Sequence, residues 1–291
     1  MTARYHFRPS TAAALVVMSL VLFAARPAPA QENPSRVYLG FDVNEYPSDQ
    51  TLPALRKTFA FAGYWLNVPP GADQNNWTGK RSEFVKNDFG FLVLFNGRLD
   101  KELSSPSRAV ELAALDAKSA IAAAQREGFP SHTIIFLDQE EGGRLLDEQM
   151  AYVLKWVDLI NAAGFRAGVY CSGMPVKEGK TTITTAQDVR KHQAGRAIAY
   201  FVYNDKCPPS PGCALPKNPL PPASSGIPFA SVWQFAQSPR RREFTKSCAA
   251  TYNADGNCYP PPNAATAVAK TNGGILIDLD SATSPDPSAA R

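Results

Sequence analysis

Histidine is scarce in this sequence. The chain of 291 residues has three histidines, and beyond residue 30 only His132 and His192 remain. They form neither a His-x-His pair nor a pair at helical spacing, the arrangements that many metal centres use. The sequence therefore disfavours a metal-dependent phosphodiesterase, and we expect neither a metal nor a cofactor. Stoichiometric metal in the purified protein would restore that class.

The net charge is also small once the first 30 residues are set aside. The 30 Lys and Arg residues include Arg4, Arg8 and Arg26, so removing the first 30 residues leaves 27 basic against 26 acidic side chains, a net charge of +1. Nucleic acid binding needs a clustered basic face. The short run 240–242 is three arginines, which we interpret as a solvated loop. We therefore expect no nucleic acid partner.

Long apolar runs are confined to the N-terminus. Residues 1–30 combine a basic start, an apolar run at 11–25 and a small-x-small site at 28–30, which is typical of a cleaved signal peptide. An uncleaved membrane anchor is the alternative, but the run is short for a span of about 20 residues. The segment has no adjacent arginine pair, so a twin-arginine signal is not predicted. We expect a protein that is secreted, periplasmic or in the cell envelope, without a membrane span after cleavage.

Cysteines are few, and four of the five lie late in the chain. Disulfides persist in exported proteins. Two local bridges, Cys207 with Cys213 and Cys248 with Cys258, are the simplest pairing, which leaves Cys171 free. A zinc site is the rival interpretation, although the spacing of the first pair is not the usual Cys-x2-Cys. We expect Cys171 to be a small buried residue.

Short apolar runs alternate with amphipathic segments over residues 36–280. The predicted strands are 37–43, 61–66, 89–96, 132–138, 166–171, 197–203, 231–235 and 274–279, and the predicted helices are 52–60, 81–88, 105–128, 145–163 and 185–195. Ser105 precedes Pro106 as the expected N-cap of the third helix. The alternation predicts a single-domain α/β fold, a (β/α)8 TIM-type barrel of parallel strands. A doubly wound open sheet is the alternative.

Two late segments lack helical patterns. Residues 204–228 and 236–273 are rich in proline and cysteine, and we expect long loops there, either functional rims or irregular decoration. Residues 281–291 have the polar composition of a disordered tail.

The stretch FLDQEEGG, residues 136–143, ends the fourth predicted strand in acids. Side chains alternate along a strand, so Asp138 and Glu140 share one face. At the mouth of a parallel barrel, where strands end, such neighbours cannot both ionise cheaply, and one pKa should rise. A raised carboxyl pKa suits a general acid. The alternative interpretation is that these acids end the strand at solvent and have no catalytic role.

Polar and aromatic residues end the other strands too. Those that we predict to line the mouth are Asp42, Tyr64, Asn96, Arg98, Tyr170, Trp233, Gln234 and Asp278. Aromatic rings cover the apolar faces of sugars, while carboxylates and amides bind their hydroxyls. Their joint placement predicts a carbohydrate site.

Several of these motifs resemble a known family. Gly40-Phe41-Asp42, Asp138-x-Glu140, Gly168-Val169-Tyr170 and Trp233-Gln234 look like the glycoside-hydrolase-like domain of unknown function typified by an exported mycobacterial protein. That family is more distantly similar to the lysozyme-type muramidases of glycoside hydrolase family twenty-five. The resemblance covers residues 36–280. It implies a (β/α) barrel with a groove at the strand C-termini and a peptidoglycan or related polysaccharide ligand.

The resemblance also implies roles for individual residues. Glu140 matches the muramidase general acid, and Asp138 matches the carboxylate that orients the substrate or stabilises positive charge. Asp42 and Asp278 match acids of the same mouth, and Tyr170 and Trp233 match groove residues. The leading expectation is an exported glycoside hydrolase. A non-catalytic protein that binds cell-wall glycan on the same barrel is the alternative.

Overall fold

The computed structural model describes residues 1–2, 36–204, 216–237, 258–259 and 275–291. Residues 3–30 of the predicted signal peptide lie outside the described residues, as do Cys207, Cys213 and Cys248. Only the backbone of Cys258 is described. The signal peptide and both disulfides therefore stay predictions, as do most of the two late loops.

Eight strands close into a barrel, which confirms the α/β barrel and rules out the open sheet. The strands are β1 (Tyr38–Asp42), β2 (Phe61–Trp65), β3 (Gly90–Asn96), β4 (Ile134–Gln139), β5 (Arg166–Ser172), β6 (Val176–Glu178), β7 (Thr181–Ile183), β8 (Ala199–Tyr203), β9 (Val232–Ala236), β10 (Cys258–Tyr259), β11 (Ile275–Leu276) and β12 (Asp278–Ala282). The barrel order is β1-β12-β9-β8-β5-β4-β3-β2. Strands β6 and β7 form a separate hairpin, and β10 pairs with β11.

Helices cover the outside of the barrel. They are α1 (Leu52–Leu55), α2 (Arg81–Lys86), α3 (Asp100–Leu103), α4 (Pro106–Glu127), α5 (Asp147–Ala162) and α6 (Thr185–His192), with a 3-10 helix at Pro222–Ser225. The predicted N-cap of α4 is confirmed, because the Ser105 hydroxyl accepts a hydrogen bond from the Arg108 amide. Cys171 is buried and free, as predicted. Among the described residues, none of the helices combines the length and apolarity that crossing a bilayer requires.

The direction of the last barrel strand differs from the prediction. Strand β12 runs antiparallel to both neighbours, β1 and β9, whereas the other barrel pairs are parallel. An all-parallel barrel is therefore wrong at the eighth position, because an apolar run predicts a strand but carries no information on its direction. As a consequence, Asp278 begins β12 rather than ending it. It still lies at the mouth, paired with Asp42.

Aromatic side chains fill the barrel below the mouth. A Cβ atom at Gly40 would collide with the ring of Phe61, and one at Gly168 would collide with the ring of Phe136. Each glycine therefore leaves room for a ring from the adjacent strand. The floor under the polar mouth is apolar and close-packed.

The predicted disordered tail, residues 281–291, is wrong. Ser281 and Ala282 belong to β12, and the residues after them pack against the N-terminal ends of β3 and β4. Ser288 bonds to Phe91 and Ile134 through its backbone and accepts the Val93 amide at its hydroxyl, 2.8 Å away. The polar composition that suggested disorder instead satisfies backbone groups at the ends of barrel strands.

Asp286 organises this tail, and its removal should destabilise the barrel. Its carboxylate accepts the amides of Phe91 at 2.8 Å, Ala290 at 2.9 Å and Arg291 at 3.1 Å. Asp286→Ala leaves these donors without that acceptor, so we expect a loss of about 1–3 kcal/mol in the free energy of unfolding. Urea denaturation measures the loss. The control, Asp73→Ala at an exposed position, should stay within about 0.5 kcal/mol, and equal losses in both would contradict this role.

Candidate active site

Five carboxyl groups meet at the barrel mouth. They are Asp42 at the end of β1, Asp138 on β4, Glu140 just beyond β4, and Asp278 and Asp280 on β12. Electrostatic coupling joins Asp42 to Asp278 and Glu140, and Asp138 to Glu140 and Asp42. The structure thus brings together the predicted acids Asp42, Asp138, Glu140 and Asp278. It adds Asp280, one step deeper.

Burial makes three of these acids, Asp42, Asp138 and Asp280, hard to ionise. Desolvation, followed by the charge of Asp278, raises the pKa of Asp42 to about 7, against the opposing effect of a hydrogen bond from Gln234. Burial, followed by the charge of Glu140, raises the pKa of Asp138 well above its usual value. Asp138 is only 4% exposed, whereas Glu140 is exposed to solvent. The sequence predicted that one pKa of the Asp138–Glu140 pair would rise, and the raised pKa belongs to the buried member, Asp138.

Gln234 connects three predicted residues by hydrogen bonds of fixed direction. The Tyr170 hydroxyl donates to Gln234 Oε1 at 2.8 Å. Gln234 Nε2 in turn donates to Asp42 Oδ2 at 2.9 Å and to Asp278 Oδ2 at 3.3 Å. With the amide oxygen turned to the phenol, the amide nitrogen faces the acids. Tyr170, 7% exposed, therefore holds Gln234 in place, and its hydroxyl is engaged within the protein.

Glu141 anchors the loop that carries Glu140. Its carboxylate accepts the backbone amide of Asp100 at 2.7 Å, the side-chain amide of Gln149 at 2.8 Å and that of Gln139. These donors lie on α3, α5 and β4. The third acid of FLDQEEGG is thus a structural residue, which the strand pattern did not indicate.

The same loop is tied to α6 further along. Buried Asp188 accepts the Leu145 amide at 3.0 Å and Arg144 Nη1 at 3.2 Å. Arg144 also forms an ion pair with Glu178 on β6. Thr185 donates to the carbonyl of Gly143 at 2.9 Å. The chain that follows Glu140 is therefore fixed on both sides.

Two predicted aromatic residues do not line the mouth. Tyr64 is fully buried, donates to the carbonyl of Trp77 and to Glu127, and packs among rings outside β2. Trp233 donates to the carbonyl of Asn204 at 3.0 Å and packs against Phe235. Both predictions are wrong for one reason, since each residue points to the opposite face from the interior.

The neighbours of those residues face inward. A Cβ atom at Gly63 would lie 2.6 Å from that of Asp42, so Gly63 shares the interior face with Asp42. Alternation then places Trp65 inside and Tyr64 outside. Trp65 donates to the carbonyl of Val43 at 3.2 Å. Trp65 is the mouth aromatic that the prediction for Tyr64 missed by one position.

Two further predicted residues are engaged by the protein near the end of β3. Arg98 Nε and Nη2 lie 2.6 Å and 2.9 Å from the carboxylate of Asp116 on α4. Asn96 donates to the carbonyl of Val68 at 2.9 Å. The structure therefore assigns Arg98 to a partly buried ion pair with α4. Within the described ranges, no group of His, Cys, Asp and Glu is arranged to hold a metal ion.

The carboxyl cluster should make the protein less stable as pH rises. The pKa of Asp42 is about 7 in the fold and 3.8 in its ordinary state. Between these values the folded chain keeps a proton that the unfolded chain has lost. The free energy of unfolding therefore falls as pH rises from about 4 to about 7, by at most about 1.4 kcal/mol per pH unit for one proton. Asp138 and Asp280 act in the same direction.

Urea denaturation between pH 5 and pH 8 measures this effect. The lowered pKa values of Asp88 and Glu178 act below pH 4.5, outside this window. Asp42→Asn should flatten the decline, since the substitution removes one of the titrating groups. A stability that rises with pH over this window would contradict the expectation.

Loss of the Glu141 anchor should loosen the loop without removing an acid from the mouth pair. Glu141→Gln replaces one acceptor oxygen by a donor that faces other donors, so we expect a loss of about 1–3 kcal/mol in the free energy of unfolding. Urea denaturation at constant pH measures it. Glu111→Gln, the same change on an exposed face of α4, is the control, and it should leave stability within about 0.5 kcal/mol. A Glu141 variant as stable as this control would refute the anchor.

Comparison with known families confirms the predicted resemblance. Residues 73–207 match the model of a family described as the Rv2525c-like, glycoside hydrolase-like domain. No curated protein sequence matches the chain significantly.

Several solved structures are similar at low identity. The Tat-secreted protein Rv2525c of Mycobacterium tuberculosis, crystallised with L-tartrate, is 12% identical over 88% of this chain and 99% of its own, with a TM-score of 0.48. GHIP, a glycosyl hydrolase 25 of Streptococcus pneumoniae, is 10% identical over 85% of this chain and 86% of its own, with a TM-score of 0.48. An uncharacterised protein of B. stearothermophilus is 18% identical over 71% of this chain and 97% of its own, with a TM-score of 0.46.

Proposed function

Because residues 73–207 match the Rv2525c-like, glycoside hydrolase-like domain, we propose that this protein is an exported glycoside hydrolase acting on peptidoglycan or a related cell-envelope polysaccharide. Export rests on the signal peptide predicted over residues 1–30. The observation that carries the activity is the pairing of buried Asp138 with exposed Glu140 at the mouth of the barrel.

The pair is suited to hold one proton and one charge. Burial and the charge of Glu140 keep a proton on the pair at a pH where an isolated Asp has lost it. Glu140 is the member that a polysaccharide in the mouth can reach. With its raised pKa, Asp138 holds that proton at rest, so the proposed mechanism requires it to pass to Glu140, which leaves the charge on Asp138 in the reactive form.

The reaction follows from that distribution. Glu140 donates its proton to the glycosidic oxygen as the bond from that oxygen to the anomeric carbon breaks. Asp138 faces the positive charge that develops on the sugar, and either assists a substrate N-acetyl group or acts through water. Asp42, held by Gln234 at 2.9 Å, adds a further carboxyl group to the mouth.

The substrate class rests on the groups around the pair. The accessible carboxyl groups, those of exposed Glu140 and half-buried Asp278, supply hydrogen-bonding groups for sugar hydroxyls. The ring of Trp65 lies on the interior face of β2 but is only 4% exposed, so it packs within the protein and is not among the proposed sugar-binding groups. The basic side chains Arg98 and Arg144 are ion-paired with Asp116 and with Glu178 and Asp188, respectively.

Glu140→Gln should abolish hydrolysis while the fold survives. A general acid contributes about 10²- to 10⁴-fold to rate, and the amide cannot supply the proton. The measurement is release of soluble fragments from purified peptidoglycan by the mature protein, beside Glu140→Gln and the control Glu111→Gln. We expect fragments from the wild type and the control, and none above background from Glu140→Gln at unchanged melting temperature.

Two outcomes would overturn the proposal in different ways. Undiminished turnover by Glu140→Gln would remove Glu140 from the chemistry. No fragments from any of the three proteins, with all of them pelleting on the polysaccharide, would instead indicate a glycan-binding protein that lacks the activity.

A further inference from the structure

Asp280 is a carboxyl group in an unusual place. It lies inside the barrel on β12, opposite Gly40 of β1 and Gln234 of β9, and its side chain is fully buried. Among the described residues, neither of its oxygens has a hydrogen-bond donor within reach. An ionised carboxylate in such a place lacks both water and a counter-charge, which is strongly unfavourable.

The groups around Asp280 account for the missing donor. The Gln234 amide nitrogen is already committed to Asp42 and Asp278, and its oxygen accepts from Tyr170. The titratable groups that act on Asp280 are Asp42 on β1 and Asp278 on its own strand. Both are acids, so neither offers Asp280 a counter-charge.

The remaining polar contact of Asp280 is with the carboxyl group of Asp42. Two carboxyl groups share a hydrogen bond only when one of them carries a proton. Burial, more than any other cause, raises the pKa of Asp280 well above its usual value, whereas the shared bond acts to lower that of Asp42. The proton therefore belongs on Asp280, the deeper of the two.

We propose that Asp280 is a positioning residue that stays protonated in the folded protein and donates its proton in a hydrogen bond to Asp42. Asp42 then accepts two bonds, one from Gln234 on β9 and one from Asp280 on β12. Once ionised, it is held from two sides with its charge at the mouth. This role deepens the proposed function, since it rests on Asp42 acting in the hydrolase site.

The protonation state can be read without any activity. Carbon-13 NMR of the side-chain carboxyl groups follows each aspartate against pH, and the Asp280→Asn variant assigns the Asp280 signal. We expect the Asp280 signal to remain that of a neutral acid at pH 7 and through the ionisation of Asp42. A signal that titrates below pH 5 would overturn the inference, whether or not the protein hydrolyses a glycan.

Two substitutions test whether the bond to Asp42 matters. Asp280→Leu has a similar size but no donor, so Asp42 loses one of its two bonds. We expect kcat on peptidoglycan to fall at least tenfold, and the limb of the pH profile that depends on Asp42 to move to higher pH. Asp280→Asn supplies an N–H donor that cannot ionise, so it should recover most of the lost rate. Melting temperatures confirm that both variants are folded.

The outcomes separate the two proposals. A Leu variant with the wild-type rate and pH profile would overturn the positioning role, as would an Asn variant that is as impaired as the Leu variant. If the wild type itself releases no fragments, the hydrolase proposal fails, and the NMR titration still decides where the proton lies.

Discussion

The antiparallel pairing of β12 with β1 is the constraint on which the mouth depends. It sets Asp278 directly opposite Asp42 and places Asp280 one step below, beside Gly40. Like charges directly opposite each other across a strand pair are destabilising. The arrangement is tolerated because Gln234 donates to both upper acids and because protons replace charges where water is excluded.

On the side of the mouth formed by the loop after β4, other acids have a structural role and hold the chain in place. Glu141 accepts hydrogen bonds from Asp100 on α3 and Gln149 on α5, and Asp188 on α6 accepts them from Arg144 and Leu145 of the loop. They fix the chain immediately after Glu140, while the Glu140 side chain itself remains exposed. This region of the structure therefore contains two kinds of carboxyl group. Some accept several hydrogen bonds from the protein, and others accept few. The difference in partners, more than the difference in residue type, separates structural from chemical roles.

Much of this could be predicted from the sequence. Apolar runs located seven of the eight barrel strands to within about two residues, because burial inside a barrel requires them. The eighth predicted strand, 274–279, covers β11 and overlaps β12 only at its first two residues. Ser105 marked the start of α4, and Asp138 with Glu140 marked the mouth. Each of these signals is local, since a strand, a cap or an acidic strand end is encoded by adjacent residues.

The errors concern information that a local pattern does not carry. Tyr64 and Trp65 are adjacent on β2, and both are aromatic and buried; Trp233 and Gln234 are adjacent on β9, and both are buried as well. Composition therefore could not decide which member of each pair points into the barrel. Only the pairing with adjacent strands fixes which face is inside. The direction of β12 and the docking of the tail depend equally on distant partners.

A barrel that buries unpaired acids must gain its stability elsewhere. The rings below the mouth fill the interior closely around Gly40 and Gly168, and the ordered tail satisfies backbone groups at the opposite ends of the strands. The destabilising groups are therefore confined to one end, and the packing that offsets them lies at the other. The two ends belong to the same strands. Packing at the floor therefore offsets the cost of burying acids at the mouth and keeps those acids in fixed positions. This division is what allows an exposed Glu140 to stand above a buried Asp138, and it links the chemistry of the mouth to the packing of the floor.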